Sequence, residues 1–155
     1  MTRFYLQDGA LWDRTFKGWP VIEPNSFERQ KHQPFIDAAR GDCLMFGLGI
    51  GLCIPAILAK PEVTSLVVVE KHPEVLQLVG ADLPLDHRLT VHFDDVFTTE
   101  RFRGPWDAIF IDVWTTPEDA LEYGRMNVVP DEQRQKELWA RYLKPGGWIG
   151  VWSGE

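Results

Sequence analysis

The stretch Asp42-Cys43-Leu44-Met45-Phe46-Gly47-Leu48-Gly49-Ile50-Gly51-Leu52 decides how this chain is read. Cys43 to Phe46 is a short apolar run of the kind that forms a buried strand, and it stops at Gly47. Glycines then occupy alternate positions at 47, 49 and 51, and Cys53 to Lys60 has the makings of a helix. Strand, glycine turn and helix form a nucleotide-binding corner. The missing Cβ atoms let the chain turn tightly and let a ligand approach the backbone, and the helix start offers unpaired N–H groups.

Outward from this corner, strands and helices alternate. Ser65 to Val69 (SLVVV) is a continuous run rich in β-branched valine and ending at Glu70, the pattern of a strand covered on both faces. Pro73 to Val79 reads as a helix with proline at its start, Leu89 to Phe93 as a strand stopping at Asp94-Asp95, and Trp106 to Ile111 as a strand ending at Asp112. Helices are expected over 118–123 and 131–143, and Lys144-Pro145-Gly146-Gly147 reads as a turn into a fifth strand, Trp148 to Trp152. Ahead of the corner, Asp8-Gly9 between apolar runs signals a hairpin. Asn25 or Ser26 caps a helix that runs to about Arg40, bent or split at Pro34 and ended by Gly41. The expected fold is α/β: a Rossmann-like, doubly wound, mostly parallel sheet, shortened after the fifth strand. An N-terminal hairpin and helix (1–40) precede the Rossmann-like domain (41–155). A fifth strand bearing Trp148, Val151 and Trp152 would be an exposed edge. The N-terminal hairpin, or a second copy in a homodimer, is expected to cover it.

Ligands of open α/β sheets bind at the carboxyl ends of the strands. Gly47, Glu70, Asp95 and Asp112 stand there, and three of these four positions are acids. Glu70, about twenty residues past the glycines, is placed to accept both ribose hydroxyl protons. Asp95 is placed to receive the adenine amino group, with Val96 and Phe97 as backbone and apolar wall. Asp112 would orient a substrate amine or act as a base; its alternative is a cap on the Thr115–Pro117 turn. A nicotinamide dinucleotide site would need a third glycine at position 52, which is Leu52.

Composition bounds the partners. The net charge is −7 with no lysine/arginine block, which disfavours duplex nucleic acid. No apolar run approaches the roughly 20 residues of a membrane span, and Arg3, Asp8, Asp13 and Arg14 stand where a signal peptide would be apolar. Cys43 and Cys53 read as free thiols of a cytoplasmic protein, with no metal role.

Five pieces in order, GLGIG at 47–51, KPEVTSLVVVEKHPEVLQLV at 60–79, HFDDVF at 92–97, WDAIFIDVW at 106–114 and LKPGGWIGVWS at 143–153, resemble the core of class I S-adenosylmethionine-dependent methyltransferases. They are most similar to the spermidine synthase-like branch, which also carries a His-x-Pro segment where this chain has His32-Gln33-Pro34. The resemblance implies S-adenosylmethionine as cofactor, bound by Gly47, Leu48, Gly49, Gly51, Glu70, Lys71, Asp95, Val96 and Asp112. It further implies that Asp112 faces the transferred group; Trp114, a catalytic candidate beside it, is expected with Tyr5, Trp19 and His32 to close over a small-molecule acceptor.

The chain departs from the family at three points. Met45 stands where many methyltransferases have an acid, and Ile50 where aminopropyltransferases have one. Thr115 or Thr116 replaces the second acid of the aminopropyltransferase Asp-x-x-Asp-Pro segment, which removes a countercharge for a polyamine. Methyl transfer is therefore the leading expectation. The alternatives are an aminopropyltransferase relative and a catalytically degenerate nucleoside-binding or assembly module.

Overall fold

The computed structural model describes residues 1–15, 20–113 and 132–151. The order is β1 (Phe4–Gln7), β2 (Ala10–Asp13), α1 (Ser26–Ala38), β3 (Gly41–Phe46), α2 (Ile54–Leu58), β4 (Val63–Glu70), α3 (Pro73–Val79), β5 (Leu89–Phe93), β6 (Trp106–Ile111), α4 (Glu132–Ala140) and β7 (Leu143–Val151). Five strands form one parallel sheet in the order β5-β4-β3-β6-β7, with β3 at its centre. The expected helix at 118–123, and Trp19, Trp114 and Trp152, lie outside the described residues.

The strands split their apolar residues by parity, because successive side chains point to opposite faces. Cys43, Met45, Leu66, Val68, Ala108 and Phe110 meet α1, α2 and α3 through Phe35, Ile54, Ile57, Val75 and Val79. Leu44, Phe46, Val69, Ile109 and Ile111 face the other way, onto Trp139 of α4 and Val96. Both faces are covered, as a parallel sheet requires. None of the described helices is long and apolar enough to cross a membrane. Cys43 and Cys53 are free and buried; burial pushes their thiols up to about 11 and about 12, which leaves both inert.

Several boundaries differ from expectation, each for a local reason. Pro34 neither splits nor ends α1, which runs unbroken from Ser26 to Ala38. Gly41 opens β3 instead of closing the helix: the space beside its α-carbon holds the Asp107 carboxylate, which takes the Asp42 N–H at 2.8 Å. The Lys144–Gly147 segment is an excursion inside β7 rather than a turn before it, since Leu143 already pairs with Trp106 and pairing resumes at Trp148 with Ala108.

The hairpin does not cover the β7 edge. It is a separate two-stranded sheet beside α3, where Glu74 accepts the Arg3 N–H at 2.9 Å and Phe4 meets the His72 ring at 4.9 Å. The apolar face of Trp148 packs instead on Phe35 of α1, ring centroids 6.0 Å apart.

Asn25 caps α1 by accepting the Glu28 N–H at 2.9 Å. Asn25→Ala is expected to cost about 1 kcal/mol of stability, read as a lower denaturant midpoint at unchanged slope.

Candidate functional site

The site grows out of the β3 corner. Gly47 continues the ladder by giving its N–H to Val69 O (2.8 Å), while Asp112 gives its own to Phe46 O (2.9 Å). Three strand ends are thereby drawn together. At Gly47, φ is +92°, and a Cβ there would lie 1.9 Å from the Asp112 carbonyl oxygen. Only glycine lets β3 and β6 meet this closely. Gly49 leaves room for Ile22, whose Cδ1 would be 2.9 Å from a Cβ at 49, so the 20–25 segment seats directly on the glycine turn.

Above these strand ends lies a cleft of about 370 Å³. Its floor and far wall are Gly47, Gly49, Glu70, Lys71, Asp95, Val96 and Asp112, and the N-terminal segment supplies the near wall through Phe4, Val21, Ile22 and Phe27. The expected cofactor residues therefore converge on one cavity, with two exceptions. Leu48 is buried in the core, and Gly51 faces Leu83 rather than the cleft. Leu48 contributes through its backbone, as follows.

Glu70, 7% exposed, ends β4 with both oxygens engaged: Oε2 accepts the Leu48 N–H at 2.9 Å and Oε1 the His72 N–H at 2.8 Å. It clamps the glycine turn to the end of β4. Each carboxylate oxygen can accept a second hydrogen bond, so the face toward the cleft keeps acceptor capacity. Asp95 accepts the Phe97 N–H at Oδ1 (2.9 Å) and has Lys71 Nζ 3.5 Å from Oδ2. These contacts hold the 95–98 turn at the mouth of β5.

At the opposite end Asp112 meets α1. Its Oδ2 is 3.0 Å from His32 Nε2 and its Oδ1 is 3.2 Å from Lys31 Nζ, which also lies 2.8 Å from Glu28 Oε2. Burial pushes the Asp112 carboxyl up, but the hydrogen bond from His32 and the positive charges of Lys31 and His32 outweigh it, leaving the group below its ordinary value. The sign follows from linkage. A carboxyl lowered in the folded state adds stability that is fully present above its ordinary value of 3.8 and is lost as pH falls below that toward the lowered folded value. Asp112→Asn should remove this component, so the stability gap between wild type and variant narrows on acidification below that value, as followed by denaturant titrations at stepped pH.

Lys31, Glu28, Asp13 and Arg3 join the lining of the site only in the fold. Glu28, Lys31 and His32 stand at i, i+3 and i+4, which places them on one helix face, and that spacing was the available signal. Asp13, buried beneath the near wall, binds Arg3 at 2.8 Å and Thr15 Oγ1 at 2.7 Å. No sequence pattern marks that pairing across the hairpin. Among the described residues no cluster of three or more metal-ligating side chains occurs.

No family model and no curated protein sequence matches the chain. Solved structures do. Precorrin-6y C5,15-methyltransferase from Geobacter metallireducens superposes over 92% of this chain and 70% of its own, with a TM-score of 0.60 at 14% identity. The N-methyltransferase NodS from Bradyrhizobium japonicum matches over 82% and 68% (TM-score 0.58, 16% identity). A putative S-adenosyl-L-methionine-dependent methyltransferase from Methanococcus maripaludis matches over 83% and 55% (TM-score 0.50, 19% identity). Two further structures are spanned over only 58% and 50% of their length. The chain has a Rossmann-like α/β fold, shared with these methyltransferase structures. Nothing in these matches singles out the spermidine synthase-like branch.

Proposed function

We propose that the cleft binds S-adenosylmethionine and that the protein transfers its methyl group to a small-molecule acceptor. The observation that carries this reading is Glu70: a buried carboxylate at the end of β4, fixed by two backbone N–H groups, with acceptor capacity directed at the same cavity as the glycine turn and Asp95. That cavity fits the group. Glu70 would accept from the ribose hydroxyls, Asp95 and the 96–97 backbone would meet adenine, and Gly47 and Gly49 would let the thioether region lie against the chain.

The methionine end has no polar partner at Met45, which is fully buried in the core, nor an acid at position 50. The lining there is a balanced ion pair, Lys31 with Asp112, which suits a methionine end that carries one charge of each sign. When bound, the sulfonium supplies an already activated methyl group, so the protein's work is alignment.

The charge balance favours this over aminopropyl transfer. That reaction unites a donor lacking the carboxylate with an amine, and both bring positive charge. Here Asp112 is already countered on one oxygen by Lys31 and on the other by His32. Two buried, unpaired thiols suit a reducing compartment, so we place the reaction in the cytoplasm.

Calorimetry with S-adenosylmethionine, its decarboxylated form and methylthioadenosine tests the reading. The full methionine-bearing donor should bind at least about tenfold tighter than the decarboxylated form, a difference of about 1.4 kcal/mol. Preference for the decarboxylated donor would reverse the assignment, and binding of none would leave a nucleoside-free assembly module.

A further inference from the structure

The ring of His32 is pinned at both nitrogens. Nδ1 lies 2.7 Å from the Glu28 carbonyl oxygen, and Nε2 lies 3.0 Å from Asp112 Oδ2. A carbonyl oxygen only accepts, so Nδ1 must carry a hydrogen. An ionised carboxylate also only accepts. A neutral ring with its hydrogen on Nδ1 would therefore set the bare Nε2 lone pair against an ionised Asp112, two acceptors facing each other. The contact closes only if a further proton sits between Nε2 and Oδ2.

The surroundings keep that proton from water and say which side holds it. His32 is 2% exposed and packs edge-on against Phe110, ring centroids 5.7 Å apart. Among the described residues, the charged groups facing the pair are Lys31 and the Glu28 carboxylate from α1, and the remaining titratable neighbour of Asp112 is the Cys53 thiol, which burial keeps protonated. Lys31, its side chain 5% exposed, stands against the second Asp112 oxygen and stabilises the carboxylate form. Glu28 balances Lys31 in turn.

We propose that His32 and Asp112 retain one proton between them at neutral pH, held on the imidazole, so that His32 is a positioning residue that keeps Asp112 an ionised hydrogen-bond acceptor rather than a base. The proton assignment rests on these contacts. Its consequence for catalysis rests on the transferase reading: Asp112 orients the acceptor and does not take its proton. A nucleophile with a free electron pair at neutral pH suits such a carboxylate, whereas one that must first surrender a proton does not.

The test is nitrogen NMR of the full chain with ¹⁵N-labelled histidine at pH 7.5. The His32 signals are identified by their loss in His32→Gln. Both ring nitrogens of His32 should resonate in the protonated range, and in Asp112→Asn one of them should shift to the unprotonated range at the same pH. One unprotonated nitrogen in the wild type would overturn the proposal, and it decides the matter even if Asp112→Asn does not fold. Failure of S-adenosylmethionine to bind in calorimetry would remove the catalytic consequence and leave the proton assignment to the spectrum.

Discussion

Glu70→Ala should weaken S-adenosylmethionine binding by about 100-fold or more and destabilise the apoprotein as well. The two effects have separate causes. A hydrogen bond to a charged group contributes about 1.5–3 kcal/mol, and two such bonds from ribose hydroxyls amount to about 3 kcal/mol at the low end, or about 100-fold in affinity. The stability loss comes from the protein's own donors. Leu48 N–H and His72 N–H both end on the Glu70 carboxylate, and truncation leaves them without that acceptor inside a buried corner, at about 1–3 kcal/mol each. Glu70→Gln should not restore binding, because its amide presents an N–H₂ group to one of the two backbone donors that the carboxylate satisfied. Calorimetry paired with thermal unfolding reads both effects. An unaltered affinity in a folded Glu70→Ala protein would remove Glu70 from the ribose contact, whatever happened to stability.

Gly47→Ala is the second large effect, and it acts on the frame rather than the ligand. The added methyl would be placed 1.9 Å from the Asp112 carbonyl oxygen, a backbone atom that cannot rotate aside, at a φ of +92°. Strain at such a backbone angle costs about 1–3 kcal/mol, and forcing β3 and β6 apart adds an overpacking cost of similar size. Together these predict a loss of about 2–6 kcal/mol. Gly80→Ala is the matching control. Its new Cβ would meet the flexible Leu76 side chain, Cδ1 at 3.4 Å and Cγ at 3.7 Å, on helical backbone, so stability should hold or rise slightly. Equal melting temperatures for Gly47→Ala and wild type would contradict the strand-end geometry on which the site depends.

The fold was legible because parity and punctuation agree along the chain. Ser65 to Val69 ends in three β-branched valines and is buried or half-buried on both faces; Pro73 to Val79 and Leu89 to Phe93 begin and end as their prolines and acids indicate. What misled was local. Gly41 looked like a helix stop but is required by the Asp107 carboxylate from a strand sixty-six residues on, a contact no local window contains. Lys144-Pro145-Gly146-Gly147 has turn chemistry and is indeed a departure from the ladder, yet Leu143 pairs with Trp106 ahead of it.

The site divides in the same way. Its carboxyl-end acids follow from where strands stop, and these are visible in sequence. The counter-ions that define Asp112 come from α1, eighty residues earlier, and their partner is fixed only when the helix crosses the sheet. Met45 and Ile50 looked like a gap in the polar lining of the cofactor's methionine end. Lys31 and Asp112, which line the cleft as an ion pair, are joined only in three dimensions.

S-adenosylmethionine is proposed to occupy the cleft at the carboxyl ends of β3, β4 and β5. A backbone amide NMR titration with S-adenosylmethionine tests it residue by residue. Shifts should concentrate at Gly47, Leu48, Gly49, His72 and Phe97. The amides of Asp42, Asp107 and Gly146, at the other end of the sheet, should stay in place. No shifts at saturating ligand, or shifts centred on that opposite end, would contradict the account.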